Sequence, residues 1–280
     1  MEKITRKSFV KGALGLGAVS ILAGCGSSAS STAASGTAAP AEKKEFTFAD
    51  TVRWDAEYDV VVMGMGAAGM VAAKTAADNG AKVVIVEKCE EGKAGGNTKV
   101  CGQLFAYANG DKDAAKTYYN ALAGGRDIEP EIIDTISEGV ANMADILADE
   151  FGFNKDEYTD WSGVNVGGTN LGAMSPEYPE MPGHEKMALW TTHAGVSDGY
   201  LYQGLKQNVL DRADAIDVWY STPAKSLIQD PVTKTVVGVT VERDGKEMNI
   251  HAINGVCICT GGFECNKEMV QHYLNVINYA

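Results

Sequence analysis

Val60-Val61-Val62-Met63-Gly64-Met65-Gly66-Ala67-Ala68-Gly69 is the stretch on which the fold of this chain turns. Apolar residues in succession over 59–63 predict a strand buried on both faces, as in a parallel sheet. Residues 67–79 are alanine-rich and helical, and Gly80 supplies the stop. A second apolar run, 81–87, ends in Glu87 and Lys88. The order is strand, glycine turn, helix, and a strand closed by an acid.

Gly64, Gly66 and Gly69 fit the pattern G-x-G-x-x-G. The first permits a tight turn, the second lets backbone approach a pyrophosphate, and the third lets helix and strand pack closely. A helix opening at Ala67 and Ala68 presents N–H groups and partial positive charge to the same phosphates. Glu87, about twenty residues on at the end of the next strand, is placed to accept the hydroxyls of a ribose, and Lys88 adjoins it. An ADP-containing dinucleotide on an α/β, Rossmann-like domain is the expectation; a tight strand–helix turn without ligand is the competing reading.

Further along, helical periodicity covers residues 113–123 and 130–151. Within the second span Ile132, Ile136, Val140, Met143 and Leu147 recur at spacings of three and four, predicting an inward stripe on one long helix. Residues 161–183, rich in Gly, Pro and Asn, predict a long irregular loop. A helix is expected over 197–212, then short strands at 217–220, 224–229, 236–243 and 247–252. Asp230-Pro231 and Asp244-Gly245 turn between them. Residues 255–260 predict a final buried strand running into Gly261-Gly262-Phe263.

The 280 residues carry a formal charge of −13, and no basic cluster stands ready to neutralise a phosphate backbone, so nucleic acid is excluded as a partner. The six cysteines show neither zinc spacing nor a Cys-x-x-Cys-His haem attachment and are expected to be unpaired. Cys257 and Cys259 share one strand face about 7 Å apart, which suits a bridge poorly. Residues 1–25 form an address: Lys3, Arg6, Lys7 and Lys11 precede a small apolar run over 12–23, too short to span a membrane. Leu22-Ala23-Gly24-Cys25 resembles a bacterial lipobox, which implies lipidation at Cys25 and attachment to the outer face of the cell membrane, or a periplasmic location. Residues 5–11 resemble a twin-arginine export signal with Lys7 in place of the second arginine. Residues 26–53 lack an apolar face and predict a flexible linker, leaving 54–280 as the folded part.

Gly95-Gly96-Asn97-Thr98, followed by Cys101-Gly102, carries a more specific signal. Here the chain resembles the fumarate reductase/succinate dehydrogenase family of flavoproteins, in its soluble fumarate reductase, urocanate reductase and 3-ketosteroid dehydrogenase branch. Two further elements extend the resemblance: Thr222-Pro223-Ala224, and Cys259-Thr260-Gly261-Gly262-Phe263 with Asn266, Glu268 and Met269 behind it. It implies FAD, with Gly95 to Thr98, Cys101 and Gly102 along the pyrophosphate and isoalloxazine, Ala224 at the adenine, and Thr260, Gly261 and Gly262 at another backbone approach. The membrane-complex branch bonds its flavin through a histidine where this chain has Asn97-Thr98, which implies noncovalent FAD.

The implied architecture is a Rossmann-like FAD-binding domain of the GR2 type, a parallel sheet with an added small β-meander. The implied reaction is reduction of an activated C=C bond in a small-molecule electron acceptor such as a fumarate- or urocanate-like acid. A 3-ketosteroid-type dehydrogenase, or a noncatalytic FAD-binding lipoprotein, are the alternatives. Electrons are expected from a separate donor, such as a membrane cytochrome. Family members are longer and carry their catalytic residues after the Thr-Gly-Gly-Phe element, so the expectation is the N-terminal portion of such a flavoprotein, without that C-terminal half and with no catalytic residue assigned. His184 and His193 read as loop or surface residues, and Arg126, Arg212 and Arg243 as solvated charges. If the lipobox reading is correct, Cys25→Ser releases the chain from the membrane fraction on sedimentation; unchanged attachment refutes it.

Overall fold

The computed structural model describes residues 46–162, 165–166, 169–170 and 178–274. Its contacts divide the chain into Met1–Val52 and Arg53–Ala280. Within the first unit the described residues form one 3-10 turn, Phe48–Thr51; the leader and Cys25 lie outside the described residues.

In the second unit β1 (Ala56–Met63), α1 (Ala67–Asp78) and β2 (Val83–Val86) follow in the anticipated order. Next come α2 (Gly96–Val100), β3 (Phe105–Tyr107), α3 (Lys112–Leu122), α4 (Pro130–Ala141) and α5 (Met143–Asp149). Two-residue strands follow, β4 (Thr159–Asp160), β5 (Asn165–Val166) and β6 (Thr169–Asn170), and then β7 (Ala188–Thr191) and α6 (Tyr200–Leu210). The chain continues through β8 (Ile216–Trp219), β9 (Ala224–Gln229), β10 (Val236–Arg243), β11 (Lys246–Ile258) and α7 (Lys267–Tyr273).

The main sheet has six strands in the order β8-β2-β1-β11-β10-β9. The first four are mutually parallel, and β10 is antiparallel to both β11 and β9. This is the expected parallel sheet with an added meander. Val60, Val62, Val83 and Ile85 pack on one face with Met70 and Ala73 of α1 and Leu205 and Val209 of α6. Val61, Val84 and Val86 pack on the other with Val239, Val241 and Ile250 of the meander. Because every residue of β2 is buried, polar alternation is absent from it. Each such side chain contributes about 1.5–3 kcal/mol by leaving water, so the glycine turns stand on a rigid base.

Four expectations are corrected. Residues 247–252 and 255–260 do not form separate strands; β11 is one thirteen-residue strand. It pairs with β1 on both sides of a register shift, where Tyr58 faces Ala252 but Val60 faces Gly255. One extra β11 residue absorbs the break that the sequence suggested, a β-bulge at a left-handed Gly255 (φ +139°). The strand is not buried to its end either, since Ile258 is solvent-exposed.

The single helix expected over 130–151 is two helices, parted at Asn142 (φ −107°, ψ 9°). Its buried stripe holds at Val140, Leu147 and the partly buried Met143 but differs at its start. Ile133, Ser137, Val140 and Ala141 face inward, whereas Ile132 and Ile136 are 51% and 42% exposed. Ser137 tolerates the interior because its hydroxyl donates to the Ile133 carbonyl at 2.7 Å. Val140 and Ala141 join Ala115, Tyr118 and Met187 in a smaller core between α3, α4 and the β3-β7-β4 sheet.

Part of the loop expected over 161–183 falls outside the described residues; Asn165–Val166 and Thr169–Asn170 pair as a two-stranded ladder. Both meander turns occur where expected, and Asp244 (φ +52°) with Gly245 (φ +71°) has the paired left-handed conformation of a type I′ hairpin. Cys89, Cys101, Cys257, Cys259 and Cys265 are all free thiols, and burial pushes the Cys257 and Cys259 thiols up from their ordinary value.

The altered start of the stripe is directly testable. Ile133→Ala is expected to lower the stability of the whole chain by about 2–5 kcal/mol in chemical denaturation, and Ile132→Ala by less than about 1 kcal/mol. The opposite ranking would restore the stripe read from the sequence.

Candidate functional site

The sheet brings the glycine-bearing segments together at one end. Gly64 continues β1, and its N–H donates to the Val86 carbonyl at 2.9 Å. Met65 N–H donates to Glu87 Oε2 at 2.8 Å, and Cys89 N–H donates to Glu87 Oε1 at 2.9 Å. Glu87, only 6% exposed, therefore clamps the first glycine turn to the turn after β2. An ionised carboxylate has about four acceptor positions, so each oxygen retains capacity for a ribose hydroxyl. Lys88 is exposed.

The second glycine turn closes on α1 directly. Ala67 N–H donates to Thr98 Oγ1 at 2.9 Å. One of the N–H groups expected to be free at the helix N-terminus is thus taken within the chain. Among the described residues nothing accepts from the Ala68 or Gly69 N–H, and these keep the helix end open to an anion. Gly95 is buried and left-handed (φ +119°), and a Cβ there would lie 2.5 Å from the Tyr202 ring. Asn97 Nδ2 donates to Glu264 Oε1 at 3.1 Å, joining α2 to the segment that follows β11.

That segment supplies the third crossing. Cys259 N–H donates to the Met63 carbonyl at 2.9 Å, and Thr260, Gly261 and Gly262 follow, all exposed. Ala224 follows the turn after β8. Thr222 N–H donates to the Glu87 carbonyl at 2.8 Å and Ser221 N–H to the Cys89 carbonyl at 2.9 Å, so β9 begins beside the acid. Thus Gly64 to Gly69, Glu87, Gly95 to Thr98 and Thr260 to Gly262 gather at one end of the parallel strands, and Ala224 lies two residues beyond the Thr222 that bonds Glu87. Cys101 and Gly102 follow α2, with Cys101 Sγ 3.4 Å from the Thr98 carbonyl.

The three glycines of the first turn differ in what demands them. A Cβ on Gly64, already at φ +99°, would sit 2.5 Å from the Cys259 carbonyl oxygen. On Gly69 it would collide with the Gly64 carbonyl. Gly66 is different: its backbone is extended (φ −80°, ψ −178°), and a Cβ would meet Thr98 Oγ1 only at 3.6 Å. Nothing within the chain requires a glycine at 66. Open approach to its backbone, next to a helix N-terminus and a buried carboxylate, fits the pyrophosphate and ribose of a dinucleotide.

Sequence reasoning missed Gln103, Tyr202 and Glu264. Gln103 is fully buried and left-handed (φ +61°), a conformation costing a non-glycine residue about 1–3 kcal/mol. It donates from Nε2 to the Thr98 and Cys101 carbonyls at 3.1 and 3.0 Å and accepts the Leu201 N–H at 3.0 Å. Its sequence position after Cys101-Gly102 was the one available signal. Glu264 directly follows the third motif, and Tyr202 gave no signal.

Several residues read as bland are engaged. Arg212 donates to both oxygens of Asp78 and holds that carboxyl below its ordinary range. The Arg243 guanidinium lies 4.3 Å over the Trp219 ring. His193 Nε2 is 2.7 Å from Asp198 Oδ2, with its ring stacked on Tyr200 at 4.1 Å. The Tyr200 N–H, with His193 behind it, holds the Asp198 carboxyl below its usual range. His184 Nδ1 lies 2.9 Å from the Met181 carbonyl. Arg126 is exposed.

Residues 59–280 match the family described as FAD binding domain. The chain is 29% identical to NADH:fumarate oxidoreductase of Klebsiella pneumoniae (strain 342), over 77% of this chain and 22% of that protein. It is 25% identical to 3-oxosteroid 1-dehydrogenase of Comamonas testosteroni, over 78% of this chain and 49% of that protein. It therefore spans less than half the length of these curated relatives. A crystal structure of 3-ketosteroid delta1-dehydrogenase from Sterolibacterium denitrificans, in complex with 1,4-androstadiene-3,17-dione, shares the fold. The TM-score is 0.63 at 21% identity, covering 78% of this chain and 50% of that one.

The glycine analysis makes a prediction that needs no cofactor. Gly66→Ala is expected to melt with the parent, within about 0.5 kcal/mol, whereas Gly64→Ala and Gly69→Ala lower the melting temperature sharply. A Gly66→Ala variant as unstable as the other two would mean that packing, not ligand approach, demands the glycine.

Proposed function

Because this chain belongs to the FAD-binding domain family, we propose that it forms the noncovalent FAD-holding part of an exported flavoprotein reductase acting on a fumarate- or urocanate-like unsaturated acid. The observation that carries the reading is the backbone at Gly66, open where no internal contact requires openness, beside the Glu87 carboxylate and the α1 N-terminus.

In this reading the Ala68 and Gly69 N–H groups meet the pyrophosphate, and Glu87 takes the ribose hydroxyls with its remaining lone pairs. Ala224 and Thr222 border the adenine end, while Thr98, Cys101 and Gly102 run toward the isoalloxazine. Gly261 and Gly262, after Thr260, close the cleft with side-chain-free backbone. Asn97 lacks the nucleophilic ring nitrogen needed for a covalent flavin bond, which supports noncovalent attachment. When bound, FAD supplies two-electron chemistry, passing a hydride to an activated C=C bond while an acid protonates the neighbouring carbon. This chain's residues supply binding, orientation and the exclusion of water; no catalytic acid is assigned among them.

The resemblance in motif and the fumarate oxidoreductase relative support the acid substrate. The 3-oxosteroid dehydrogenase relative favours a second reading, a dehydrogenase acting on a ring ketone. A separate electron donor, such as a membrane cytochrome, is part of the same proposal. Lipid anchoring through Cys25, and export by a twin-arginine route, belong to the same proposal and rest on the leader.

The test begins with FAD titration of the purified chain, followed by flavin fluorescence and visible absorbance. The parent is expected to turn yellow and release flavin on denaturation, and Gly66→Val to lose the colour. Glu87→Ala is a poorer probe, since it also strands two backbone donors at about 1–3 kcal/mol. A colourless parent refutes the FAD reading. Reduced viologen offered with fumarate, urocanate or a steroid dienone then separates the substrate classes. A yellow protein that turns over none of them supports a noncatalytic FAD-binding role.

A further inference from the structure

Gln103 is a buried polar side chain in a backbone conformation that glycine adopts without strain. Every polar atom of its side chain is used. Nε2 donates to the Thr98 carbonyl at 3.1 Å and to the Cys101 carbonyl at 3.0 Å, both at the C-terminal end of α2. Oε1 accepts the Leu201 N–H, in the first turn of α6, at 3.0 Å. Its own N–H lies 3.4 Å from Cys101 Sγ. Helix ends leave such carbonyls and N–H groups without intrahelical partners, so one side chain satisfies the end of one helix and the start of another.

The consequence falls on α2. Five residues are too few to hold a helix unaided, yet this one carries Asn97, which reaches Glu264, and Thr98, which accepts the Ala67 N–H of α1. Its place relative to α1 depends on what grips its far end. Strained backbone persists where the surroundings over-determine it, and such positions cluster at functional sites. We propose that Gln103 is a positioning residue, joining the end of α2 to the start of α6 and so fixing Asn97, Thr98 and Cys101 against the bound cofactor. This rests on the FAD reading above, and it adds a residue that does not itself touch the cofactor.

Gln103→Gly relieves the backbone strain and removes the side-chain bonds; Gln103→Met keeps the volume and also removes them. Amide hydrogen exchange on the FAD-free chain is one readout. In both variants exchange at Ala67 and Cys101 is expected to accelerate about tenfold while the β1 and β2 amides keep parental rates. On the FAD-loaded chain, the visible circular dichroism of the flavin is expected to change and FAD affinity to fall about tenfold. The glycine variant serves alone if the methionine variant does not fold. Parental exchange and an unaltered flavin spectrum in Gln103→Gly overturn the proposal. So does acceleration spread evenly through the core strands, which would make Gln103 a stability residue only. A parent chain that takes up no FAD refutes the FAD reading and the cofactor half of this inference, while the exchange comparison still decides whether Gln103 holds α2.

Discussion

Glu87 accepts the Met65 N–H through one carboxylate oxygen and the Cys89 N–H through the other, inside a protein environment that leaves it nearly inaccessible. Charge-assisted bonds of this kind are shorter and stronger than neutral ones, and here they span two chain reversals. Without the carboxylate, the first glycine turn would leave a buried donor unpaired and the turn after β2 a half-buried one. The same group keeps lone pairs to spare, so in the proposed FAD reading the acid that stabilises the turns is also the one that would accept ribose hydroxyls.

Around this clamp the remaining contacts are short-range and serial. Thr98 takes the Ala67 N–H, Asn97 reaches Glu264, and Cys259 presses its carbonyl against the position where Gly64 lacks a side chain. Each link involves residues from different elements, so the cleft exists only once the sheet has formed. The stiffness behind it comes from the two apolar faces of β1 and β2, buried under α1 and α6 on one side and the meander on the other. A cleft built this way is precise because backbone, fixed by ladder hydrogen bonds, supplies most of its surface.

Much of this was legible in the sequence because close backbone approach demands small residues and therefore writes itself as glycine. The first turn, the helix stop at Gly80 and the hairpin turn at Asp244-Gly245 all follow from conformations that few residues adopt. Apolar periodicity was a weaker guide. Along α4 both Ile132 and Ile133 are apolar, and Ser137 hides among buried positions by bonding its own helix. Two stripes therefore fit the start of the pattern, and packing there turned Ile133 and Ser137 inward in place of Ile132 and Ile136, while Val140 and Leu147 stayed buried as read. Long-range pairs were invisible for a different reason. Arg212 meets Asp78 and Arg243 meets Trp219 only because the fold places them together.

The sequence by itself determined the order strand, glycine turn, helix and acid-ended strand, because those local geometries restrict residue choice position by position; the FAD-binding family came with the further resemblance at Gly95 to Thr98, Thr222 to Ala224 and Cys259 to Phe263. Tertiary structure alone decided that β11 runs unbroken past a bulge, that α4 turns Ile133 inward, and that Gln103 ties α2 to α6. These depend on which surfaces and unpaired backbone groups meet after the chain has closed. A hydrogen bond between residues ninety-eight positions apart leaves no spacing to read.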